Sequence, residues 1–288
     1  MKKKIRFDFF LLVEASSGPV RTVGIAERLD RRIEQTREAR TIIHKGVGSR
    51  LARLKKLGNL RIGDFIRFNL DQPAMVAGKH IDERAVTTRE DEGMAIPAAF
   101  LYDAGSNVLV YQRAKGAIST TDAFRHLFIG CESNLPLFDP ILKPDVENTL
   151  KKMERPRKLE IRAHVLGMNP QDAQAASTRK FIEAARDAGT RWLTIELSVG
   201  RKRHSTLDST GVLAMAKDWM FQRREGRLVD RLKLHADFPP EDKINTLDLL
   251  DASLVSDQYI EPTRDVEEYY HRRAEAAHKA WDEHRHRF

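Results

Sequence analysis

Hydrophobic and polar positions along the chain form short runs that predict β-strands. Residues 4–13 and 62–70 combine apolar and aromatic side chains over lengths typical of buried strands. Residues 159–166, 192–199 and 228–236 repeat this pattern in the second half of the chain. We therefore predict strands at these five positions.

Other segments have the composition of helices. Arg, Glu, Leu and Ile dominate residues 25–57, and Gly46 and Gly48 are expected to divide this stretch into two helices. An Asn-Pro pair favours the start of a helix over residues 169–188. A long polar helix is predicted at 262–285.

The clearest local element is a hairpin at residues 97–113. Two apolar runs flank the loop 103–107, in which Gly105 is available for a positive φ. Residues 119–122 (STTD) match a capping box, and residues 205–208 (STLD) match a second one. Each box predicts a helix directly after it.

The order of these elements predicts an α+β fold with mixed or antiparallel sheets, packed helices and a long C-terminal helix. A proline-rich passage over 132–157 is expected to be a linker between two domains. We place the N-terminal domain at residues 1–145 and the C-terminal domain at residues 155–288.

Composition narrows the class of protein. With 41% hydrophobic and 32% charged residues, the chain is globular. Its one cysteine, Cys131, excludes an internal disulfide, so we expect a reducing, cytoplasmic setting. No uncharged apolar stretch reaches about 18 residues, and we therefore expect no membrane insertion.

Charge is segregated along the sequence. Lys and Arg exceed Asp and Glu by ten over residues 1–67 and by nine over residues 151–233. Asp and Glu are in excess by five over residues 68–150 and by six over residues 234–288. Such segregation indicates a cationic face for a polyanion, and nucleic acid is the polyanion we expect.

A basic tetrapeptide lies between a predicted strand and a predicted helix. Arg201, Lys202, Arg203 and His204 directly precede Ser205, the expected N-cap. Helix N-termini attract anions through their unpaired amides, and the planar guanidinium suits phosphate oxygens. These four residues are the first candidates for DNA contact.

Further basic clusters complete the candidate DNA-binding set. They share positive charge at short spacing: Lys151, Lys152, Arg155, Arg223, Arg224, Arg53, Lys55 and Lys56. The last three, together with Arg50, are expected on one short helix.

The chain contains no base-reading motif with zinc-finger, helix-turn-helix or RNP-like spacing. Contacts to phosphate position a protein on DNA without reading the sequence. We therefore expect a non-catalytic protein that binds double-stranded DNA with little sequence preference and with steep salt dependence.

Two alternatives stay open. A metal-dependent nuclease would use Asp145 with Glu160, although Arg162 stands where such an enzyme would carry Lys. A protein-interaction module would use the acidic stretches 68–150 and 234–288 to inhibit a DNA-processing enzyme. We find no catalytic, metal-binding or cofactor-binding motif, and we expect no catalytic residue, metal or cofactor.

One central segment resembles a known family. Residues 92–97 (EGMAIP), 100–102 (FLY), 107–113 (NVLVYQR) and 128–130 (FIG) resemble the middle of the phage-exclusion protein RexA. The DNA-binding subunit KwaB of the Kiwa anti-phage system is similar in the same region. The later order of elements, to about Trp281, also resembles RexA.

The resemblance implies a two-domain homodimer that binds DNA with little sequence preference and acts in phage exclusion or anti-phage defence. It also implies a membrane-protein partner that acts together with the DNA-binding protein. It supplies no catalytic residue to carry over onto this sequence.

Overall fold

The structure is a computed structural model. It describes residues 2–13, 24–44, 46–71, 75–78, 81–86, 89, 92–128, 136–166, 168–200, 205–225, 227–238 and 241–288. The chain divides into two compact units. The first comprises residues 1–7, 14–136 and 256–288, and the second comprises residues 8–13 and 137–255.

The described strands are β1 (Lys3–Val13), β2 (Thr41–His44), β3 (Val47–Leu57), β4 (Leu60–Asn69), β5 (Met75–Gly78), β6 (Ile81–Ala85), β7 (Met94–Asp103), β8 (Val108–Arg113), β9 (Leu137–Pro140), β10 (Arg155–His164), β11 (Trp192–Ser198), β12 (Val229–Phe238), β13 (Glu241–Asp248) and β14 (Val255–Ile260). The described α-helices are α1 (Ile25–Glu34), α2 (Thr120–Arg125), α3 (Pro144–Lys151), α4 (Ala176–Asp187), α5 (Ser209–Arg224) and α6 (Val266–His284). The fold is α+β, as the sequence predicts.

The first unit is built on a sheet in the order β14-β1-β8-β7-β4-β3-β2, while β5 and β6 form a separate hairpin. The pairs β2–β3, β3–β4, β4–β7 and β7–β8 are antiparallel. Helix α6 packs on β4, β7 and β8, and α1 packs on β3. The fully buried rings of Phe65, Phe100 and Phe124 form part of the core, with the centroid of Phe65 5.0 Å from that of Phe100 and 5.7 Å from that of Phe124.

The second unit has an antiparallel sheet in the order β11-β10-β12-β13. Helix α5 packs on β10 and β12, and α4 packs on β11. Leu159, Ile161 and Leu232 on the strands and Trp219 on α5 are fully buried between the layers. Strand β9 pairs with the last residues of β1.

The five strands predicted from the apolar runs are confirmed as β1, β4, β10, β11 and β12. The hairpin is confirmed as β7 and β8. The positive φ in its loop belongs to Asn107, at 57°, and not to Gly105. The Asn107 side chain accepts a hydrogen bond from the Tyr102 hydroxyl at 2.7 Å, which holds this residue in the left-handed region.

The prediction of two helices over residues 25–57 is wrong beyond α1. Its second part forms β2 and β3. β3 pairs with β4 as a hairpin, and Gly58 in the connecting turn has a φ of +57°. Pairing with the apolar β4 outweighs the helical propensity of Arg, Lys and Leu, which is a weak preference in an isolated segment.

One of the two capping boxes is confirmed. Ser119 caps α2 by accepting a hydrogen bond from the Asp122 amide. Ser205 does not cap α5, which begins at Ser209 with Asp208 as its N-cap. The backbone before it is held to β10 instead, because Leu207 donates its amide to the Pro156 carbonyl at 2.8 Å.

The helix predicted over 169–188 starts later than expected. Asn169 caps a single 3₁₀ turn, and α4 begins only at Ala176. The buried Asp218 carboxylate accepts the amides of Gln174 and Ala175, at 3.3 and 2.8 Å, and so holds these two residues outside the helix. Gly189, with a φ of +65°, follows the C-cap residue Ala188, as predicted.

The division of the chain differs from the expected one in two respects. The predicted linker over 132–157 contains β9, α3 and the start of β10, because its prolines lie at a strand end and at the first position of a helix. The last helix, expected in a C-terminal domain over 155–288, packs on the sheet of the first unit. Its buried Arg273 forms an ion pair with Asp64 of β4.

Among the helices in the described ranges, none has both the length and the hydropathy that are needed to cross a bilayer.

Candidate anion-binding site

The first candidates from the sequence, Arg201, Lys202, Arg203 and His204, lie outside the described residues. Cys131 lies outside them as well. The structure therefore gives no geometry for the tetrapeptide.

In the second unit, the nominated basic residues are largely used in internal ion pairs. The Arg224 guanidinium is 3.3 Å from Asp8, and both side chains are only 7% exposed, so Arg224 is not available to an external phosphate. Arg223 is 3.1 Å from Asp251, Arg155 is 3.4 Å from Asp237, and Lys151 is 2.9 Å from Glu147. Lys152 is exposed at the end of α3.

The candidates in the first unit lie on β3 and not on a helix. Arg53 forms a two-pronged ion pair with Glu267 of α6, and its guanidinium lies 4.7 Å from the Tyr270 ring centroid. Lys56 is 3.4 Å from Asp30, and both Lys55 and Lys56 are exposed. The Arg53 side chain therefore links α6 to the sheet, and its charge is already paired within the protein.

Glu160, the carboxylate of the nuclease alternative, lies in a charge network on the sheet of the second unit. Its oxygens are 2.7 Å from Lys158, 3.2 Å from His235 and 3.6 Å from Arg231. Hydrogen bonding from Lys158 is the main cause that lowers the Glu160 pKa. The described residues include no group of three or more His, Cys, Asp or Glu side chains that could hold a metal ion.

A different set of basic residues stands out in the first unit. We call Arg32, Arg37, Arg40 and Arg50 the arginine cluster. They come from the end of α1, from the turn that follows it, and from β3. No described carboxylate lies within ion-pair distance of any of the four, in contrast to most of the nominated residues.

Backbone geometry brings the cluster together. The Arg40 guanidinium donates to the carbonyl of Ile33 at 3.3 Å, which ties the turn back to the end of α1 beside Arg32. Strand β2 begins directly after Arg40, and its first residue, Thr41, is the register partner of Arg50 on β3. The helix end, the turn and the hairpin thus place arginines from distant positions side by side.

The arginines are only partly satisfied by the protein. Arg32 donates to the side-chain oxygen of Gln35 at 2.8 Å, and the Arg50 guanidinium lies 5.7 Å from the Phe68 ring centroid. The Nε and one Nη atom of Arg32, and the Nε atom of Arg40, are buried without a hydrogen-bond partner. These three nitrogens are closed to solvent, so a ligand in solution is offered the exposed Arg37 and the exposed parts of Arg40 and Arg50.

The electrostatics of the cluster are repulsive. Burial, followed by the charge of Arg40, lowers the pKa of Arg32. Burial lowers the pKa of Arg50 as well, and the charges of Arg37 and Arg40 lower it further. Arginine nevertheless stays charged near neutral pH, so the cluster holds an excess of positive charge that an anion would relieve.

His126 lies beside the cluster and stays uncharged. Its Nε2 atom is 2.8 Å from the Ser49 hydroxyl of β3, and its ring is almost fully buried. Burial, and then the charge of Arg32, lower its pKa to about 4. Arg28, one helical turn before Arg32, donates to the Leu127 carbonyl at 3.1 Å and so holds α1 against this histidine's turn.

Sequence reasoning did not find the arginine cluster. Arg32, Arg37 and Arg40 were hidden in a stretch interpreted as helix, where they alternate with Glu34 and Glu38. The excess of ten positive charges over residues 1–67 was the one signal that pointed to this part of the chain. The residues that share the site could be recognised only from the β2–β3 register.

No curated protein matches this chain. One family model, described as a family of unknown function, matches residues 1–285, which is almost the whole length. A match of this extent shows membership of the family. The chain therefore belongs to the family of unknown function DUF6731.

Proposed function

We propose that the protein binds the phosphate backbone of double-stranded DNA, with little sequence preference, and that the arginine cluster is the main contact. The observation that carries this proposal is the set of four exposed or partly exposed arginines that have no described carboxylate within ion-pair distance. The planar guanidinium group can donate two parallel hydrogen bonds to phosphate oxygens.

The cluster suits a charged backbone better than a base edge. Arg32 is at the C-terminal end of α1, Arg37 and Arg40 follow it, and Arg50 is on a strand. They do not form the face of one helix or one ribbon that enters a DNA groove. Contacts of this kind bind phosphate whatever the base sequence, and they weaken as salt competes for the site.

A role in phage exclusion or anti-phage defence belongs to this proposal. It rests on the resemblance of residues 85–281 to RexA, and of the central segment to KwaB. The proposed homodimer and membrane-protein partner rest on the same resemblance. The exposed Lys55 and Lys152 are secondary candidates for contact. The basic tetrapeptide 201–204 also remains a candidate by its sequence.

A matched pair of substitutions on β3 tests the proposal. Arg50→Gln and Arg53→Gln remove the same charge from the same strand, but Arg53 is held by Glu267 and Arg50 has no described acidic partner. Loss of one charged phosphate contact costs about 1–2 kcal/mol, so Arg50→Gln should weaken duplex binding by roughly tenfold. Fluorescence anisotropy with a labelled duplex of arbitrary sequence measures this change.

Thermal unfolding of the same two proteins supplies the control. Arg53→Gln breaks an ion pair and should lower the melting temperature while leaving DNA affinity within about twofold. Arg50→Gln relieves repulsion and should leave the melting temperature unchanged or raised. Equal DNA affinity in the two variants would remove the arginine cluster from the proposed interface.

A further inference from the structure

The charge and burial of the arginine cluster define the kind of phosphate that suits it best. Four arginines share this site, and the charges that lower the pKa values of Arg32, Arg40 and Arg50, after the effect of burial, belong to other arginines of the cluster. A phosphodiester inside a DNA strand carries a single negative charge. A phosphate monoester carries between one and two near neutral pH, with a third oxygen free to accept hydrogen bonds.

The site is also partly closed. Arg32, Arg40 and Arg50 are each only partly exposed, and three nitrogens of Arg32 and Arg40 have no access to water. In such surroundings the effective dielectric is lower than in water, so each additional ligand charge counts for more. A terminal phosphate is attached to its chain through one oxygen, so its other three oxygens can accept hydrogen bonds from neighbouring arginines, whereas an internal diester has two such oxygens and is held on both sides by the strand.

We infer that the arginine cluster binds a phosphate monoester in preference to a phosphodiester. This inference rests on the proposed function, because it assigns the chemical class of ligand to the same site. Two sources present this group: the phosphorylated end of a nucleic-acid strand and a free mononucleotide.

The arginines of the cluster contribute in different ways to the preference for a phosphate monoester. Arg37 is exposed and offers its whole guanidinium to the ligand. Arg40 is fixed by the Ile33 carbonyl, and Arg32 is fixed by Gln35, so both are held in place before a ligand arrives. Fixed donors lose little conformational entropy on binding, which favours a compact ligand with several acceptors.

Three versions of one short duplex test the inference by competition anisotropy. They carry a 5′-hydroxyl, a 5′-phosphate or a 5′-methyl phosphate, the last of which keeps the size of the phosphate but removes its second charge. We expect the 5′-phosphate duplex to bind roughly tenfold more tightly than the other two. Equal affinity for the three duplexes would overturn the preference and leave general DNA binding intact.

Two further arms separate the sources of phosphate and the two proposals. A mononucleotide that displaces the duplex as well as a matching 5′-phosphate strand identifies a free monoester as a ligand, and the preference stands. Absence of binding by all three duplexes with mononucleotide binding retained contradicts the DNA proposal but supports the monoester site. Absence of binding by every one of these ligands contradicts both.

Variants assign the preference to the cluster. Arg37→Gln changes an exposed side chain and should fold normally, while Arg40→Gln removes a fixed donor. Each should reduce the ratio between 5′-phosphate and 5′-hydroxyl affinities to about twofold or less. Arg53→Gln is the charge-matched control and should keep the full ratio. If Arg37→Gln and Arg40→Gln each keep the full ratio between 5′-phosphate and 5′-hydroxyl affinities, the monoester site lies elsewhere.

Discussion

The basic residues of this protein differ in whether a carboxylate forms an ion pair with them. Arg224 faces Asp8 in a buried pair, and Arg53 faces Glu267. Arg50, three positions before Arg53, has no described carboxylate within ion-pair distance. Because a paired guanidinium is already satisfied, the number of basic residues in a stretch is a poor guide to the charge that is available for a ligand.

His126 gives a test at the level of one side chain. Its pKa of about 4 in the folded protein lies below the usual value of 6.5. Between these values a falling pH protonates the unfolded chain but not the folded one, so stability is lost as the pH falls from about 6.5 towards 4. Urea unfolding at pH 7 and at about pH 4.5 should show that His126→Gln removes about 2–3 kcal/mol of this loss.

The difference between the two pH values cancels any direct cost of the His126 substitution. If His126→Gln loses as much stability on acidification as the natural protein does, the histidine is not held neutral beside Arg32.

Much of the local structure followed from neighbouring residues in the sequence. Five strands, the hairpin of β7 and β8, and the cap at Ser119 were predicted because their signals lie within a few positions. The arginine cluster was not, because its members meet only through the pairing of Thr41 with Arg50 and the return of the turn to Ile33. Contacts between distant positions leave no periodic signal.

Among the secondary-structure elements, β2, β3 and α6 show most clearly why prediction failed. Residues 47–57 have the composition of a helix but form β3, because β4 pairs with this segment from one end to the other. Helix α6 was predicted as a helix, but its packing on β4 and β7 required knowledge of which sheet it joins. Propensity describes a segment, whereas the choice of a partner belongs to the whole fold.

The attachment of α6 to the sheet depends on a buried ion pair. Arg273 donates to Asp64 of β4 at 2.9 Å, and the two side chains are 3% and 4% exposed. Arg273→Met leaves an uncompensated buried carboxylate and should cost about 3–5 kcal/mol of unfolding free energy in urea. The double variant with Asp64→Leu should recover much of this loss.

Lys279 on the same helix provides the comparison. It forms an exposed pair with Glu275, and such pairs contribute at most about 1 kcal/mol. Lys279→Met should therefore change the unfolding free energy little. Similar losses for Arg273→Met and Lys279→Met would show that the buried pair does not hold the helix on the sheet.

At the scale of the whole molecule, the net charge of a sequence segment differs from the charge that the folded segment can offer to a ligand, because internal ion pairs use part of it. Part of the second basic block, residues 151–233, is engaged in ion pairs where the structure describes it, such as those of Arg155 with Asp237 and Lys158 with Glu160. The first block keeps the arginine cluster. The proposed interface with DNA therefore lies in the first unit, although the sequence pointed first to residues 201–204.

The most direct test of this account is the salt dependence of duplex binding between about 50 and 200 mM salt, measured for the natural protein and for the double variant Arg37→Gln, Arg50→Gln. Each lost phosphate contact lowers the slope of log affinity against log salt by about 0.9, so the double variant should lose roughly two units of slope for every duplex sequence. An unchanged slope and affinity in the double variant would contradict the central claim that these arginines bind phosphate.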